Sequence, residues 1–350
     1  MATDKKQFVS AFTEGEAVHD LFLIKDADRA ETKSGKPYLI LTLMDRSGEI
    51  SCRLWEDADR WAPVCQAGDV VTVVGQVQNY KGENQLKIDE LGSVAQAEID
   101  ISLFLPATAR DIDEMAAELQ GLVKRVEDPY LKKLLQKFFA AGDFFDRFKK
   151  APAAKNMHHA YLGGLLEHTL AVTRLARSMT DQYPSLDGSL LVAGALLHDI
   201  GKVEEFSFAT YPFNYSDRGR LVGHLVIGAE MVRERVGAIK DFPEELAIRI
   251  QHLILSHHGQ YEFGSPCLPM MPEAFVLNFL DDLDAKMNYL GGLEKKLAAP
   301  GYQWTDYQRL LERFLFLRGR PGQETAAGEK KPGKTTARDN DRQQSLFTVS

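Results

Sequence analysis

Eight of the nine histidines in this 350-residue chain lie between His158 and His258, and several occupy positions where a helix would bury apolar side chains. His168 has Leu165, Val172, Leu175 and Met179 at −3, +4, +7 and +11. At about 100° per residue these share one face of a helix. Leu191, Gly194 and Ala195 precede His198, Asp199 follows it, and Gly201 stands where a helix C-cap would. His224 leads Ile227, Gly228 and Met231. His257 follows Leu246, Ile250 and Leu253 at helical spacing and is succeeded by His258. Asp281 and Asp284 share a face with Leu277 and Asn288. His252 fits its helix's buried face poorly, and His19 lies in a strand-like segment, so neither joins this set.

A single inward histidine is ordinarily satisfied by a hydrogen bond in the core. Five helices each delivering a His or Asp inward is a different matter, because burying such groups without partners costs several kcal/mol apiece. A divalent metal supplies the shared counter-charge. Imidazoles with carboxylates suit Mn, Fe, Zn, Ni or Co better than Ca or Mg alone. His168, His198, Asp199 and Asp281 complete one site, and His224, His257 and His258 suit a second ion with Asp199 bridging. Asp284 is either a further ligand or a carboxylate that orients one of the histidines.

The rest of the chain divides around this region. Residues 1–100 read as short strands with turn signals at Ser34-Gly35-Lys36-Pro37, Asp45-Arg46-Ser47-Gly48 and Lys81-Gly82-Glu83-Asn84. Ile50, Cys52 and Leu54 alternate with Ser51, Arg53 and Trp55, and Trp55 to Cys65 reads as a short helical connection. Three strands, a short helix and two strands is the order of an OB-fold, a five-stranded barrel. Residues 101–155 form a helical connector in which Lys132, Lys133, Lys137, Arg147, Lys149 and Lys150 interleave with Phe144, Phe145 and Phe148. We read it as amphipathic with a solvated basic face rather than as a nucleic-acid contact. Residues 156–320 are an all-α domain, and the polar residues 321–350 are a disordered tail. The expected architecture is therefore multidomain: a β barrel, a helical connector, an all-α domain and a tail.

The domain pairing and its motifs resemble a known family. His168, His198-Asp199 and a late Asp281 are similar to the HD superfamily of metal-dependent phosphohydrolases. His198-Asp199-Ile200-Gly201-Lys202, with His224 and His257-His258, looks like its two-metal subset. An OB-fold joined to an HD domain carrying Asn156-Met157-His158-His159-Ala160-Tyr161-Leu162-Gly163-Gly164-Leu165-Leu166-Glu167-His168-Thr169 resembles the YhaM family, over roughly residues 10–315. That resemblance implies a 3′→5′ exonuclease on single-stranded RNA, active also on single-stranded DNA. It implies two divalent ions, Mn foremost, with Co, Fe, Ni or Mg as alternatives. It assigns the metal to His168, His198, Asp199, Asp281, His224, His257 and His258, with Asp199 and Lys202 acting at the phosphate. His158, His159 and Tyr161 precede the ligand helix and are candidates for substrate contact, as are Arg218 and Arg220. The implied chemistry is in-line attack by a metal-acidified water, releasing nucleoside 5′-monophosphates.

Charge enters here as an objection. The chain carries 42 Lys plus Arg against 50 Asp plus Glu, and residues 1–100 alone have 11 basic and 18 acidic residues, a net −7. That excludes a globally basic nucleic-acid binder. The barrel either guides a single strand, through Tyr38, Arg53, Trp55 and Tyr80, or docks further subunits, and a homo-oligomer is expected. In the tail, Gln343, Leu346 and Phe347 form a Q-x-x-L-F pattern resembling sliding-clamp ligands. Cys52, Cys65 and Cys267 form no CxxC pair and no disulfide framework. No apolar run suits a signal peptide or a membrane span, so the expected location is the cytoplasm. Two other readings are open to the sequence: a small-nucleotide or cyclic-dinucleotide phosphodiesterase, and a non-catalytic DNA-binding replication accessory protein.

Overall fold

The structure, a computed structural model, describes residues 5–319 except 33, 81, 95–98, 156–158, 209–211, 296 and 298. His158 and the tail residues Gln343, Leu346 and Phe347 lie outside the described residues.

Five strands, β1 (Ala17–Glu31), β2 (Pro37–Asp45), β3 (Gly48–Leu54), β4 (Val70–Tyr80) and β5 (Glu83–Ser93), close into a barrel in the order β1-β2-β3-β5-β4. All neighbours are antiparallel except β3 and β5, whose parallel pairing closes the ring. Alternation decides which side chains fill it: Leu39, Leu41 and Leu43 of β2 and Ile50, Cys52 and Leu54 of β3 point inward. The helical connection between β3 and β4 is shorter than the sequence suggests, a single turn α1 (Ala58–Trp61).

In β1 the alternation breaks down, and Leu21, Phe22, Leu23 and Ile24 are all buried. Phe22 and Ile24 belong to the barrel core. Leu21 and Leu23 point the other way, into a second cluster with Met44, Val70, Phe104, Leu105 and Phe213. A run of buried residues rather than an alternating one signals a strand covered on both faces. The second face here is the seam between the barrel and the helices.

Three helices, α2 (Ile112–Arg125), α3 (Pro129–Phe139) and α4 (Asp143–Lys150), follow the barrel. Asp111 and Asp128 cap the first two through their side chains, the latter ahead of Pro129 at the first helical position. These helices share one apolar core with α5 (Gly164–Gln182), α6 (Gly188–Leu197), α9 (His224–Gly237), α10 (Glu244–Ser256) and α11 (Pro272–Lys295). Phe145 and Phe148 stack edge-on around Phe139 in that core, while Lys133, Lys137 and Lys150 stay exposed.

Helix α6 runs through the centre. Every residue from Leu190 to Leu197 is buried, which is what an all-apolar helix requires. Its C-terminal end therefore carries His198 and Asp199 into the interior. Gly201 then opens a short α7 (Lys202–Glu205), but not as the left-handed C-cap expected from sequence: its φ is −64°. Close approach demands the glycine instead. A Cβ there would stand 2.1 Å from the carbonyl oxygen of His224 on α9. A short α8 (Asp217–Leu221) precedes α9, and a hairpin, β6 (Phe206–Ser207) with β7 (Asn214–Tyr215), lies between α7 and α8. A second hairpin, β8 (Gly301–Trp304) with β9 (Phe316–Gly319), follows α11 in a region the sequence pattern reads as helical.

Candidate metal centre

Five helices or helix ends meet around Asp199. His168 comes from α5, His198 and Asp199 from the end of α6, His224 from the start of α9, His257 and His258 from the end of α10, and Asp281 from α11. All but His258 and Asp281 are buried. His168 Nε2 lies 3.1 Å from His198 Nε2 and 3.1 Å from Asp281 Oδ1. His224 Nε2 lies 3.3 Å from His258 Nε2. Asp199 stands between the two groups. Its Oδ2 is 3.5 Å from His168 Nε2 and 3.4 Å from His198 Nε2, and its Oδ1 is 3.6 Å from the Nε2 atoms of both His224 and His257.

The opposite edge of each ring explains this convergence. Nδ1 of His198 faces Ala195 O, that of His257 faces Ile254 O, and that of His258 faces Phe263 O, each at 2.8 Å. Nδ1 of His224 faces Glu205 Oε1 at 2.9 Å, and that of His168 faces Asp284 Oδ2 at 2.7 Å. Carbonyl and carboxylate oxygens only accept, so Nδ1 carries the proton in all five rings. Nε2 is then left pointing inward, the arrangement by which a metal-ligating histidine is oriented.

Two buried atoms at the centre, Asp199 Oδ1 and His257 Nε2, have no hydrogen-bond partner. Asp199 Oδ2 has a charged neighbour, Lys202 Nζ, at 2.7 Å. Orphaned polar atoms at such depth are costly, and here they face one another. Electrostatics point the same way. Burial pushes the Asp199 carboxyl up, but Lys202, His198 and His224 outweigh it and hold it well below the usual range. Burial, with His258 and His198 beside it, keeps His257 neutral. Burial also opposes charge on His168, yet Asp281 and Asp284 raise it to about 9. The carboxylates thus call for positive charge at His168 Nε2, which a proton or a metal ion supplies. Four overlapping groups of three, His168-His198-Asp281, His198-Asp199-His257, His224-His257-His258 and His159-His168-Asp284, each bring candidate ligand atoms within 4.8 Å of one another. The donor set fits divalent metal.

The other site candidates lie as follows. Asp284 accepts from both His168 and His159, so it stands behind His168 rather than in the centre. His159 is buried, with its ring between Asp284 and the Tyr161 hydroxyl. Arg218 is held by Glu230 at 2.9 Å and Glu204 at 3.7 Å, and the Arg220 guanidinium lies over the Tyr215 ring. In the barrel, Tyr38 and Trp55 stack at 4.5 Å between ring centroids, 22° from parallel, with Trp55 exposed. Arg53 bonds Ser51 Oγ and Cys52 O nearby, and Tyr80 is exposed near the β4–β5 turn. His252 lies outside the cluster, bonded by the Met270 amide, and His19 is exposed.

Sequence reasoning missed Glu205, Glu167 and Thr108. The signal for Glu205 was indirect: an inward histidine needs an acceptor on its other nitrogen, and Glu205 is the buried carboxylate at the end of α7, six residues past Asp199.

A closed five-stranded barrel joined to helices that converge His168, His198-Asp199 and Asp281 defines an OB-fold plus HD-domain protein of the metal-dependent phosphohydrolase class. Residues 165–286 match the HD domain family, and residues 24–94 match the OB-fold nucleic acid binding domain family. The chain is 37% identical over 306 residues to the 3′-5′ exoribonuclease YhaM of Bacillus subtilis (strain 168), covering 87% of this chain and 95% of that protein. It is 37% identical over 277 residues to the YhaM of Bacillus velezensis, covering 78% and 86%. This chain belongs to the YhaM 3′-5′ exoribonuclease family. Among the described residues, no helix is long and apolar enough to cross a membrane.

Proposed function

We propose that this chain is a metal-dependent exonuclease that shortens single-stranded RNA, and single-stranded DNA, from the 3′ end and releases nucleoside 5′-monophosphates. The observation that carries the reading is Asp199: a buried carboxylate whose two oxygens each face a separate pair of inward Nε2 atoms. That geometry favours two ions, one among His168, His198, Asp199 and Asp281 and one among His224, His257 and His258, with Asp199 shared. Mn is the expected metal. Divalent ions in this cluster supply Lewis acidity, acidifying water and screening phosphoryl charge.

The chain's own residues do the rest. The clamped Nδ1 edges hold the imidazoles in one orientation, so little reorganisation accompanies the reaction. Lys202 sets an ammonium beside Asp199 and offsets charge on the phosphoryl oxygens. As water's oxygen bonds to phosphorus and gives up a proton, the bond from phosphorus to the 3′ oxygen of the preceding nucleotide breaks, and that 3′ oxygen takes up a proton as the hydroxyl end of the shortened strand. Arg218 and Arg220 are the candidates for contact with the next phosphate, and His158 for the terminal nucleoside, whereas His159, buried between Asp284 and Tyr161, and Tyr161 itself serve behind His168. The stacked Tyr38 and Trp55, with Arg53 near them, offer a surface on which bases of the incoming strand stack, and Tyr80, further along the barrel at the β4–β5 turn, offers another.

The division proposed is residues 1–100 as the barrel, 101–155 as the connector, 156–320 as the HD domain and 321–350 as a tail whose Gln343, Leu346 and Phe347 engage a sliding clamp. A homo-oligomer is supported by an exposed apolar stripe along α11, Phe275, Phe279, Leu283 and Met287, next to exposed Tyr302, Trp304 and Phe316 of the last hairpin. Half-exposed side chains of this size present about 700 Å² together, near the share each partner brings to a stable interface. The cytoplasm is the compartment such an enzyme needs, since its substrate is there.

The test is an end-labelled single strand with Mn²⁺. Wild-type protein should produce a ladder shrinking from the 3′ end. Asp199→Asn should stop it while leaving the circular-dichroism melt in chelator near that of wild type. Full activity in Asp199→Asn would overturn the assignment.

A further inference from the structure

Behind His168 a line of polar contacts runs out of the metal cluster and ends at the segment arriving from the barrel. His168 Nδ1 meets Asp284 Oδ2 at 2.7 Å, and the same oxygen meets His159 Nε2 at 3.0 Å. His159 Nδ1 lies 2.8 Å from the Tyr161 hydroxyl, which lies 3.1 Å from Glu167 Oε2. That oxygen accepts the Thr108 hydroxyl at 2.6 Å. One end is a candidate ligand. The other is the segment 104–108, bridged to the loop at Ala107–Leu162, whose Phe104 and Leu105 are buried in the seam with the barrel.

The backbone of this loop is held as firmly as its side chains. His159 has φ of +47°, a left-handed conformation that strains a non-glycine residue. It is kept there by Asn288 Oδ1, which accepts the His159 amide at 3.0 Å, and by the Ala153 amide, which donates to His159 O at 3.1 Å. Gly164 permits the approach: a Cβ there would stand 2.1 Å from His159 O. On the far side, Thr108 N donates to Leu162 O at 2.9 Å and Leu162 N donates to Pro106 O at 2.8 Å, stitching the loop to the incoming segment. A strained residue pinned from several sides is fixed for a purpose, and here its ring buttresses the carboxylate that orients His168.

We propose that His159, Tyr161 and Glu167 are positioning residues that hold Asp284 against His168 and so set the affinity of the His168 site for its ion, with Thr108 tying this line to the barrel seam. The inference rests on the reading of His168 as a metal ligand. The mechanical reason is that Asp284 sits on α11 and His168 on α5, so their relation depends on how those helices lie. A third element bonded to Asp284 fixes it. An orienting carboxylate that is itself misplaced loses much of its effect on the ligand.

The experiment titrates Co²⁺ into chelator-stripped full-length protein, following visible absorption and heat. His159→Gln and Tyr161→Phe should each weaken binding of one of the ions about tenfold and change the Co²⁺ absorption bands. Glu167→Gln, which keeps the acceptor oxygen, should stay near wild type, whereas Glu167→Ala should not. Melting temperatures in chelator report any merely structural effect, which would lower them and leave Co²⁺ affinity and spectrum unmoved. His168→Ala separates the two levels. If it binds Co²⁺ as wild type does, the ligand reading fails and this inference with it. If it loses an ion while His159→Gln and Tyr161→Phe bind and absorb as wild type, the ligand reading stands and the positioning role is refuted.

Discussion

Glu205 holds His224 at two points: its Oε1 accepts the His224 backbone amide at 3.1 Å and faces Nδ1 at 2.9 Å. Burial pushes the Glu205 carboxyl up, but these bonds and the nearby Lys202 outweigh it and keep it below its ordinary range. An ionised oxygen that accepts twice leaves the ring no freedom to turn its Nε2 away from His258 and Asp199. Glu205→Ala should weaken binding of one divalent ion by about 10- to 100-fold, and Glu205→Gln, which retains an acceptor, should lose less. Isothermal titration with Mn²⁺ on stripped protein checks this, and equal affinities for all three proteins would refute it.

The glycine between Asp199 and Lys202 is placed by contact with α9. Gly201→Ala would drive a methyl into the His224 carbonyl and should cost about 1–3 kcal/mol, as overpacking does, along with metal binding. Gly121, in the interior of α2, has nothing within 4 Å of an added Cβ. Gly121→Ala should therefore stabilise by about 0.5–1 kcal/mol. Thermal melts in chelator read both signs.

The acid stability of the metal-free protein follows from its carboxylates. Burial raises Asp284, but hydrogen bonds from His159 and His168 outweigh it and leave its carboxyl below the ordinary 3.8. Asp281 is held below 3.8 in the same way, by His168 and His198 against burial. A carboxyl with a depressed folded value contributes stability that is whole above its unfolded value and drains as pH falls toward the folded one. Chelated protein should therefore begin to lose stability below about pH 6.5, where His257 and His258, disfavoured as cations in the fold, protonate in the unfolded chain, and lose it more steeply below about pH 4, where these carboxyls do. Asp284→Asn should flatten that loss in urea titrations at successive pH values. An unchanged pH slope would show that these contacts do not couple to folding.

Trp55 is exposed and stacked on Tyr38, a surface ready for a base. Trp55→Ala should weaken single-strand binding by about 1–3 kcal/mol, raising KM for long strands while kcat holds. Trinucleotides, which offer few bases to stack, should depend less on Trp55 and be cleaved nearly as by wild type. An unaltered KM on long strands would assign the barrel to docking instead, as its acidic composition allows.

Much of this protein was legible in its sequence, for a reason visible in individual residues. The strands follow a period of two, so Leu39, Leu41 and Leu43 declare which face of β2 is buried. The helices follow 3.6, so His168 and Asp281 reveal themselves as polar groups on apolar faces. Chemistry then narrows the choices, since buried imidazoles and carboxylates in such number need a cation. Periodicity says which way a residue points within its own element, and it is silent on what waits there. Glu205 and Glu167 lie close in sequence to the ligands but find their partners only when separate elements meet. Gly201 reads as a helix cap until α9 is seen to press against it. Phe144, Phe145 and Phe148 sit among lysines in a segment that reads as a connector, yet Phe145 and Phe148 join the common core and Phe144 packs against it. The sequence by itself determined the inventory: a barrel, an all-apolar central helix, and inward histidines and aspartates. Only the tertiary structure decided their relations. It set Asp199 between two groups of imidazoles, turned each ring by a bond to its Nδ1, and joined His168 to the barrel seam. Those relations depend on distances between segments far apart in the chain, which no local pattern encodes.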